Sequence, residues 1–241
     1  MRLDLFLSDN GFYRSRTRAA GAVKAGCVSI GGKTVFKPSY DLSESEQALI
    51  SCLPDPLDYV GRGALKLDYA LEHFGISVEG LECIDVGAST GGFTQVLLRR
   101  GAKRVTAVDV GHGQLDKEIA ADPRVVDLEG TDVRKCDFDG QFDFLSMDVS
   151  FISITMLASK TAELVKQGGN AVILFKPQFE VGRKYIGKGG IVKSKEASMA
   201  AMDNAVRAFS DAGFSFLGSA VSPITGGDGN TEYLLSFSRG K

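Results

Sequence analysis

The fold is decided by the stretch Ile84-Asp85-Val86-Gly87-Ala88-Ser89-Thr90-Gly91-Gly92-Phe93-Thr94. In it an apolar strand leads into a glycine-rich turn, and a helix is predicted from Phe93 onward. Glycines let the backbone approach a ligand closely, and the N-terminus of a helix offers N–H groups without partners. This pattern predicts the first strand–turn–helix unit of an α/β fold with a ligand close to the backbone of its turn.

Two acids at strand ends support a nucleoside ligand. Asp85 ends the first strand and can accept from an amino group, and Asp109 ends the next predicted strand, 24 residues later. An acid at that second place can accept hydrogen bonds from two ribose hydroxyls. The glycine spacing differs from the Gly-x-Gly-x-x-Gly of dinucleotide sites, so NAD is the disfavoured alternative.

Strands and helices alternate from about Val60 onward. The predicted strands span residues 82–86, 104–109, 125–129, 142–147, 170–175, 214–221 and 233–238, and the clearest helices span 64–74, 93–100, 154–166 and 195–212. Apolar strands separated by helices predict a mostly parallel sheet covered on both faces. The last two strands lack an intervening helix, which predicts an antiparallel hairpin at the sheet edge. We therefore expect an α/β fold with a seven-stranded, mostly parallel sheet, as in Rossmann-like class I S-adenosylmethionine-dependent methyltransferases.

The N-terminal part of the chain has a different pattern. Two short helices precede a predicted hairpin over residues 27–36, whose turn is Gly31-Gly32, and the later part of residues 43–58 reads as a linker. Although the net charge of the chain is −2, residues 1–40 contain seven cations and only two acids. Clustered positive charge indicates a polyanionic partner. We expect an RNA-binding domain with its linker over residues 1–58 and a second domain over residues 59–241.

Composition excludes several classes of protein. With 44% hydrophobic and 24% charged residues, the chain is typical of a globular protein. No apolar run approaches the roughly 20 residues of a membrane span, so we expect no membrane partner. Four scattered cysteines and an N-terminus without a signal peptide favour the cytoplasm, and with two histidines no metal site is expected.

Four ionisable residues follow or begin predicted elements: Lys66, Asp148, Lys176 and Glu232. Asp148 and Lys176 each follow a parallel strand, so both should lie in the crevice at the carboxyl edge of the sheet. Glu232 begins an antiparallel strand, whose start lies at that same edge. Lys66 lies on the helix that precedes the sheet. Each alone is more often a surface charge, but together they predict a catalytic site.

At this point the sequence resembles a known family, the TlyA ribosomal RNA 2′-O-methyltransferases, which are related to the FtsJ/RrmJ methyltransferases. The resemblance covers nearly the whole chain and rests on six segments: residues 61–67 (GRGALKL), 85–94 (DVGASTGGFT), 109–115 (DVGHGQL), 148–153 (DVSFIS), 176–182 (KPQFEVG) and 229–233 (GNTEY). It implies that Lys66, Asp148, Lys176 and Glu232 form a catalytic tetrad. It also implies that the first forty residues are an αL RNA-binding domain, like that of a small-subunit ribosomal protein.

The resemblance implies S-adenosylmethionine as cofactor. Its expected contacts are Asp85, Gly87, Ala88, Ser89, Thr90, Gly91, Gly92, Phe93, Asp109, Val110, Asp132, Val133 and Asp148, with Asp132 and Val133 beside the adenine. The expected RNA contacts are Arg2, Arg14, Arg16, Arg18, Lys24, Lys33, Lys37, Arg62, Arg183, Lys184 and Lys188. Only Asp4 and Asp9 are near the N-terminal arginines in sequence, so most of that charge is expected to be unpaired.

The expected partner is ribosomal RNA or a ribosomal subunit. The chain starts directly at the first helix and ends just after the last strand, which is typical of the shorter subtype that methylates a cytidine of 23S rRNA. Two alternatives remain open: a non-catalytic RNA-binding ribosome-assembly factor, and a membrane-active haemolysin, for which no exposed amphipathic helix is found. The sequence does not determine the oligomeric state.

Overall fold

The computed structural model describes residues 1–54, 59–138 and 140–240. Its strands are β1 (Val28–Ile30), β2 (Lys33–Thr34), β3 (Ile50–Cys52), β4 (Glu82–Val86), β5 (Arg104–Val108), β6 (Val125–Leu128), β7 (Phe142–Met147), β8 (Val165–Phe175), β9 (Phe214–Val221) and β10 (Tyr233–Arg239). Its α-helices are α1 (Leu3–Asp9), α2 (Arg16–Lys24), α3 (Glu44–Gln47), α4 (Ala64–His73), α5 (Gly92–Arg99), α6 (Lys117–Ala120), α7 (Ala158–Leu164), α8 (Pro177–Glu180) and α9 (Lys195–Asp211).

The N-terminal unit packs α1 and α2 against a small antiparallel sheet in the order β2-β1-β3. The predicted helices and hairpin are confirmed, although β2 is only two residues long. Sequence reasoning predicted no elements in the first part of residues 43–58, where α3 and β3 belong to this unit and β3 pairs with β1. Such short elements carry too little periodicity to be recognised. Residues 55–58 of the predicted linker lie outside the described residues.

The large sheet has the order β6-β5-β4-β7-β8-β10-β9, and its first five strands are parallel. The predicted α/β class and the antiparallel final hairpin are confirmed. The last strand, β10, lies between β8 and the edge strand β9 and runs antiparallel to both. Tyr233 at the start of β10 is therefore opposite Phe175 at the end of β8. This insertion places Glu232 beside Lys176, one residue beyond that pair.

Two elements differ from their predicted lengths. The predicted helix over residues 154–166 is a 3-10 turn, Ile154–Leu157, followed by α7, which ends at Leu164. From there β8 begins five residues earlier than expected, with a register irregularity opposite Phe142 and Phe144. Within the described ranges, every helix is too short or too polar to cross a bilayer.

The two units share buried contacts. Leu65 on α4 and Ile224 in the loop before β10 pack with the core of the N-terminal unit, which includes Leu3 and Val28. The next apolar residue of α4, Leu67, packs instead with the core of the large sheet. Because α4 contributes to both cores, it joins the two units. The same helix carries Lys66.

A buried carboxylate organises the N-terminal charges. Asp4 is 3% exposed and accepts hydrogen bonds from Arg2 at 2.8 and 3.0 Å and from Arg16 at 3.2 Å. The hydrogen bonds from Arg2 lower the pKa of Asp4 to about 2, aided by Arg16 and opposed by burial. Most of the charge on the N-terminal arginines is expected to be unpaired; Arg16 is an exception, because α1 and α2 bring Asp4 between it and Arg2. Both arginine side chains remain about half exposed, at 49% and 52%.

We expect Asp4→Asn to destabilise the N-terminal unit by about 2 kcal/mol at neutral pH, measured by hydrogen exchange of the amides of α1 and α2. Because the folded-state pKa of Asp4 is depressed, its contribution is present above about pH 4 and is lost as pH falls toward about 2. The matched control is Asp41→Asn, since Asp41 is 96% exposed in its ion pair with the N-terminal amine. Equal effects of the two substitutions at neutral pH would contradict this account.

Candidate functional site

The turn after β4 depends on backbone shapes that few residues adopt. Gly87 has φ +84° and Gly91 has φ +90°. A Cβ at Gly87 would overlap the carbonyl oxygen of Asp148, and a Cβ at Gly91 would lie 2.8 Å from the side chain of Leu115. Ser89 between them has φ +47° and donates its N–H to Asp109 at 2.8 Å. The turn therefore packs closely against the loops that follow β5 and β7.

Asp85 lines neither cavity among the described residues, so its expected role as a cofactor contact stays a prediction. It is fully buried and accepts from the hydroxyls of Thr94 at 2.7 Å and Ser146 at 2.9 Å. Burial raises the pKa of Asp85 to about 7, against the effect of those two hydroxyls. Its side chain links β4 to α5 and to β7 through these hydrogen bonds, which stabilises the turn between β4 and α5.

A cavity of about 880 Å³ lies at the carboxyl edge of the sheet, beyond the ends of β4, β5 and β7. Of the expected cofactor contacts, those that line it are Gly87, Ser89, Asp109, Val110, Asp132, Val133 and Asp148. Both carboxylate oxygens of Asp109 accept backbone N–H groups, from Ser89 and from Gly111 at 2.8 Å, and each retains a free lone pair. The wall opposite is formed by the loop after β7.

A smaller cavity of about 300 Å³ adjoins the first and shares Gly87, Ser89, Asp148 and Ser150 with it. The remaining expected cofactor contacts Ala88, Thr90, Gly92 and Phe93 line this second cavity. Gly91 lines neither cavity among the described residues, because it packs against α6. Lys176 and Arg62 complete the second cavity, so the glycine turn separates two adjoining spaces with different linings.

The expected tetrad is present as two ion pairs. The first joins Lys176 Nζ to Asp148 Oδ1 at 2.6 Å, at an angle unsuited to a hydrogen bond, while the same ammonium donates to Ser150 Oγ at 2.9 Å. The second joins Lys66 Nζ to Glu232 Oε2 at 2.5 Å. Lys66, Lys176 and Glu232 are each less than a tenth exposed, and Asp148 is partly exposed. Asp148 and Lys176 face the cavities, whereas the second pair lies behind them.

Sequence reasoning missed three members of this site. Ser150 is a partner of Lys176, Phe151 is 91% exposed at the cavity wall, and Glu180 binds the loop that carries both. All three are in segments quoted for the family resemblance, yet no periodicity or spacing marks a role for them. Phe151 has φ +64°, which a bulky residue rarely adopts and which the sequence does not reveal.

Apart from Arg62, which lines the second cavity, the expected RNA contacts lie on two surfaces. In the N-terminal unit, Arg14, Lys24, Lys33 and Lys37 are exposed and have no ion pair within the described chain, whereas Arg18 has further interactions. Arg183, Lys184 and Lys188 are exposed on short 3-10 turns after α8. Asn230 fixes the end of that segment, accepting from Val192 N–H and donating to the carbonyl of Gly190, both at 2.9 Å. This contact joins the basic segment to the loop that precedes Glu232.

Asp85 predicts an unusual pH dependence of stability. Because its folded-state pKa is about 7, the folded state keeps a proton that the unfolded chain has released above about pH 4. Wild-type stability should therefore fall between about pH 4 and 7, by up to about 1.4 kcal/mol per pH unit from this group. Asp85→Asn should remove that slope in urea unfolding, and the exposed Asp127→Asn should retain it. A slope unchanged by Asp85→Asn would contradict the assignment.

Comparison with protein families matches residues 59–239 to the FtsJ-like methyltransferase family and residues 1–47 to the S4 domain. The chain is 40% identical to the 16S/23S rRNA (cytidine-2′-O)-methyltransferase TlyA of Mycobacterium tuberculosis, over 97% of this chain and 88% of that protein. It is 34% identical to the 23S rRNA (cytidine-2′-O)-methyltransferase TlyA of Campylobacter jejuni, over 98% of this chain and 99% of that protein.

A solved structure is similar over the whole length. A candidate hemolysin from Streptococcus thermophilus superposes with a TM-score of 0.75 and 38% identity, covering 100% of this chain and 89% of that one. Both family matches and the full-length relatives agree with the two-unit fold. The chain therefore belongs to the TlyA family, in which an N-terminal S4 domain is joined to an FtsJ-like methyltransferase domain.

Proposed function

We propose that this protein transfers a methyl group from S-adenosylmethionine to the ribose 2′-hydroxyl of a cytidine in ribosomal RNA, with 23S rRNA as its target. The observation that carries the proposal is the position of Lys176, paired with Asp148 where the large cavity meets the small one. The names of both TlyA relatives include 23S rRNA and the cytidine 2′-oxygen. The protein would act in the cytoplasm, with residues 1–58 binding RNA and residues 59–241 catalysing transfer.

The large cavity suits S-adenosylmethionine in size and lining. Pockets for ligands of this size span roughly 300–1,000 Å³. Asp109 offers lone pairs to ribose hydroxyls, while Val110, Val133 and Leu157 give apolar surfaces for an adenine. Asp132 is next to Val133, and Asp148 would lie near the cationic end of the cofactor. When bound, the cofactor supplies an electrophilic methyl carbon.

The small cavity is suited to the ribose that accepts the methyl group. A 2′-hydroxyl there would lie near Lys176, and the amine form of Lys176 would take its proton as the oxygen bonds to the methyl carbon and the carbon–sulfur bond breaks. Asp148 and Ser150 hold Lys176 in place from two directions. Much of the rate would come from holding the two reactants in line.

The second ion pair supports the first without lining the cavities. Lys66 and Glu232 are both buried, and a buried charge is costly unless it is paired. Glu232 lies beside Lys176 at the ends of neighbouring strands, so it balances positive charge next to the reacting groups. We assign Lys66 to keeping Glu232 oriented, because their contact is 2.5 Å and enclosed.

RNA would be held by surfaces on both units. The exposed cations Arg14, Lys33 and Lys37 would contact phosphates, which position a nucleic acid without reading its sequence. The exposed ring of Phe151 offers a stacking surface for a base next to the target, since single-stranded RNA is commonly bound by stacking on aromatic side chains.

We expect Lys176→Met to lower kcat about 100-fold or more on ribosomal subunits, because proton transfer by a positioned group contributes about 10²–10⁴-fold. Affinity for S-adenosylmethionine, measured by calorimetry, should be nearly unchanged, since the lysine faces the small cavity. The matched control is Lys166→Met, because Lys166 is also paired with an aspartate, Asp143, at 2.6 Å but at the start of β8. Near wild-type transfer by Lys176→Met would refute the role of the lysine, and absence of transfer by the wild type would favour an assembly factor.

Replacing Arg14, Lys33 and Lys37 by glutamine should weaken RNA binding and leave S-adenosylmethionine binding unchanged. Each lost phosphate contact should reduce the log–log salt dependence of RNA affinity by about 0.7–0.9. A control variant with Lys103, Arg104 and Lys166 replaced removes the same charge at the amino edge of the sheet, away from the site. Equal losses of affinity in the two variants would indicate a general charge effect and contradict specific contacts in the N-terminal unit.

A further inference from the structure

The loop that follows β7 forms a wall shared by the two cavities. Asp148 and Ser150 line both, whereas Phe151, Met156 and Leu157 line the large one. The position of this loop therefore affects the partners of Lys176 and the shape of the cofactor space together.

The loop is held in a conformation that its own residues do not favour. Phe151 adopts φ +64°, a region in which a bulky side chain is rare and which persists only where surrounding contacts impose it. With its ring 91% exposed, Phe151 gains little from burial. Its ring contacts Phe179 of α8, with centroids 5.1 Å apart, and the rest of the restraint must come from neighbouring residues.

Glu180 provides that restraint from α8, the helix that follows the neighbouring strand β8. It ends α8, one turn after Lys176, and its two carboxylate oxygens accept from Ser153 Oγ at 2.6 Å and from the N–H of Ile154 at 2.9 Å. Ser153 in turn caps the 3-10 turn Ile154–Leu157 by accepting from the N–H of Thr155. The carboxylate of Glu180 thus joins the loop after β7 to α8, the helix after β8. These two segments also carry Asp148 and adjoin Lys176, which form the first ion pair.

We propose that Glu180 is a positioning residue for methyl transfer, which fixes the loop carrying Ser150 and Phe151 relative to Lys176. This proposal rests on the proposed function, because it assigns the loop to the acceptor side of that same site. Glu180 itself lines neither cavity among the described residues, so it acts through Ser153 and Ile154 and not by touching the reactants. Burial raises the pKa of Glu180, opposed by those two hydrogen bonds, which agrees with an enclosed position.

The test compares Glu180→Ala with Glu180→Gln in the full-length protein. The alanine variant should lose about tenfold or more in kcat on ribosomal subunits, since a small misplacement of reacting groups is costly. Its thermal midpoint should stay close to that of the wild type. Glu180→Gln should recover most of the activity, because an amide oxygen can accept from Ile154 and an amide N–H can donate to Ser153.

Two further measurements separate positioning from a general structural role. Hydrogen exchange at the amide of Ile154 should be faster in Glu180→Ala, while exchange in the strands of the sheet should not change. Ser153→Ala should lower kcat, and adding it to Glu180→Ala should have no further effect, because the two residues act as one contact. Glu163→Ala is the control, since Glu163 is a 66% exposed glutamate on α7.

Three results would overturn the inference: wild-type kcat in Glu180→Ala, unchanged exchange at Ile154, or equal damage in the glutamine and alanine variants. The same assay distinguishes this failure from failure of the proposed function. An inactive wild type would refute methyl transfer itself, whereas an active wild type with an equally active Glu180→Ala would refute only the positioning role.

Discussion

The site depends on burying two lysines and compensating each with a single carboxylate. Removing a charge from water costs several kcal/mol unless a partner is fixed beside it. The fold must therefore hold a carboxylate next to each buried lysine. Insertion of β10 between β8 and β9 places Glu232, the partner of Lys66, at the carboxyl edge of the sheet, because an antiparallel strand begins where its parallel neighbour ends. The loop after β7 places Asp148 at 2.6 Å from Lys176. The site thus follows from the order of the strands.

The same constraint links the domains. Helix α4 carries Lys66 to its buried partner, and the adjacent Leu65 packs into the core of the S4 unit together with Ile224. The loop containing Ile224 continues to Glu232, so both members of this ion pair are attached to elements that contact the RNA-binding unit. Buried apolar contacts therefore hold the S4 domain next to the elements that carry this ion pair.

Sequence reasoning predicted the large sheet and the strand-end acids and lysines, because the carboxyl ends of parallel strands meet at one edge whatever the details of packing. Sequence patterns do not reveal the features that tertiary contacts determine. Asp85 is at a strand end like Asp109, yet its side chain faces the interior, where two hydroxyls donate hydrogen bonds to it. The roles of Phe151 and Glu180 depend on backbone shape and on contacts between loops, neither of which leaves a periodic signal in the chain.

In the proposed reaction, the oxygen of a ribose 2′-hydroxyl next to Lys176 receives the methyl group. The most direct measurement is nucleoside mass spectrometry of 23S rRNA after incubation with the pure protein and isotopically labelled S-adenosylmethionine. The account predicts label in 2′-O-methylcytidine alone, and no label when the target cytidine is replaced by 2′-deoxycytidine. Label in a base-methylated nucleoside, or transfer that survives the deoxy substitution, would contradict it.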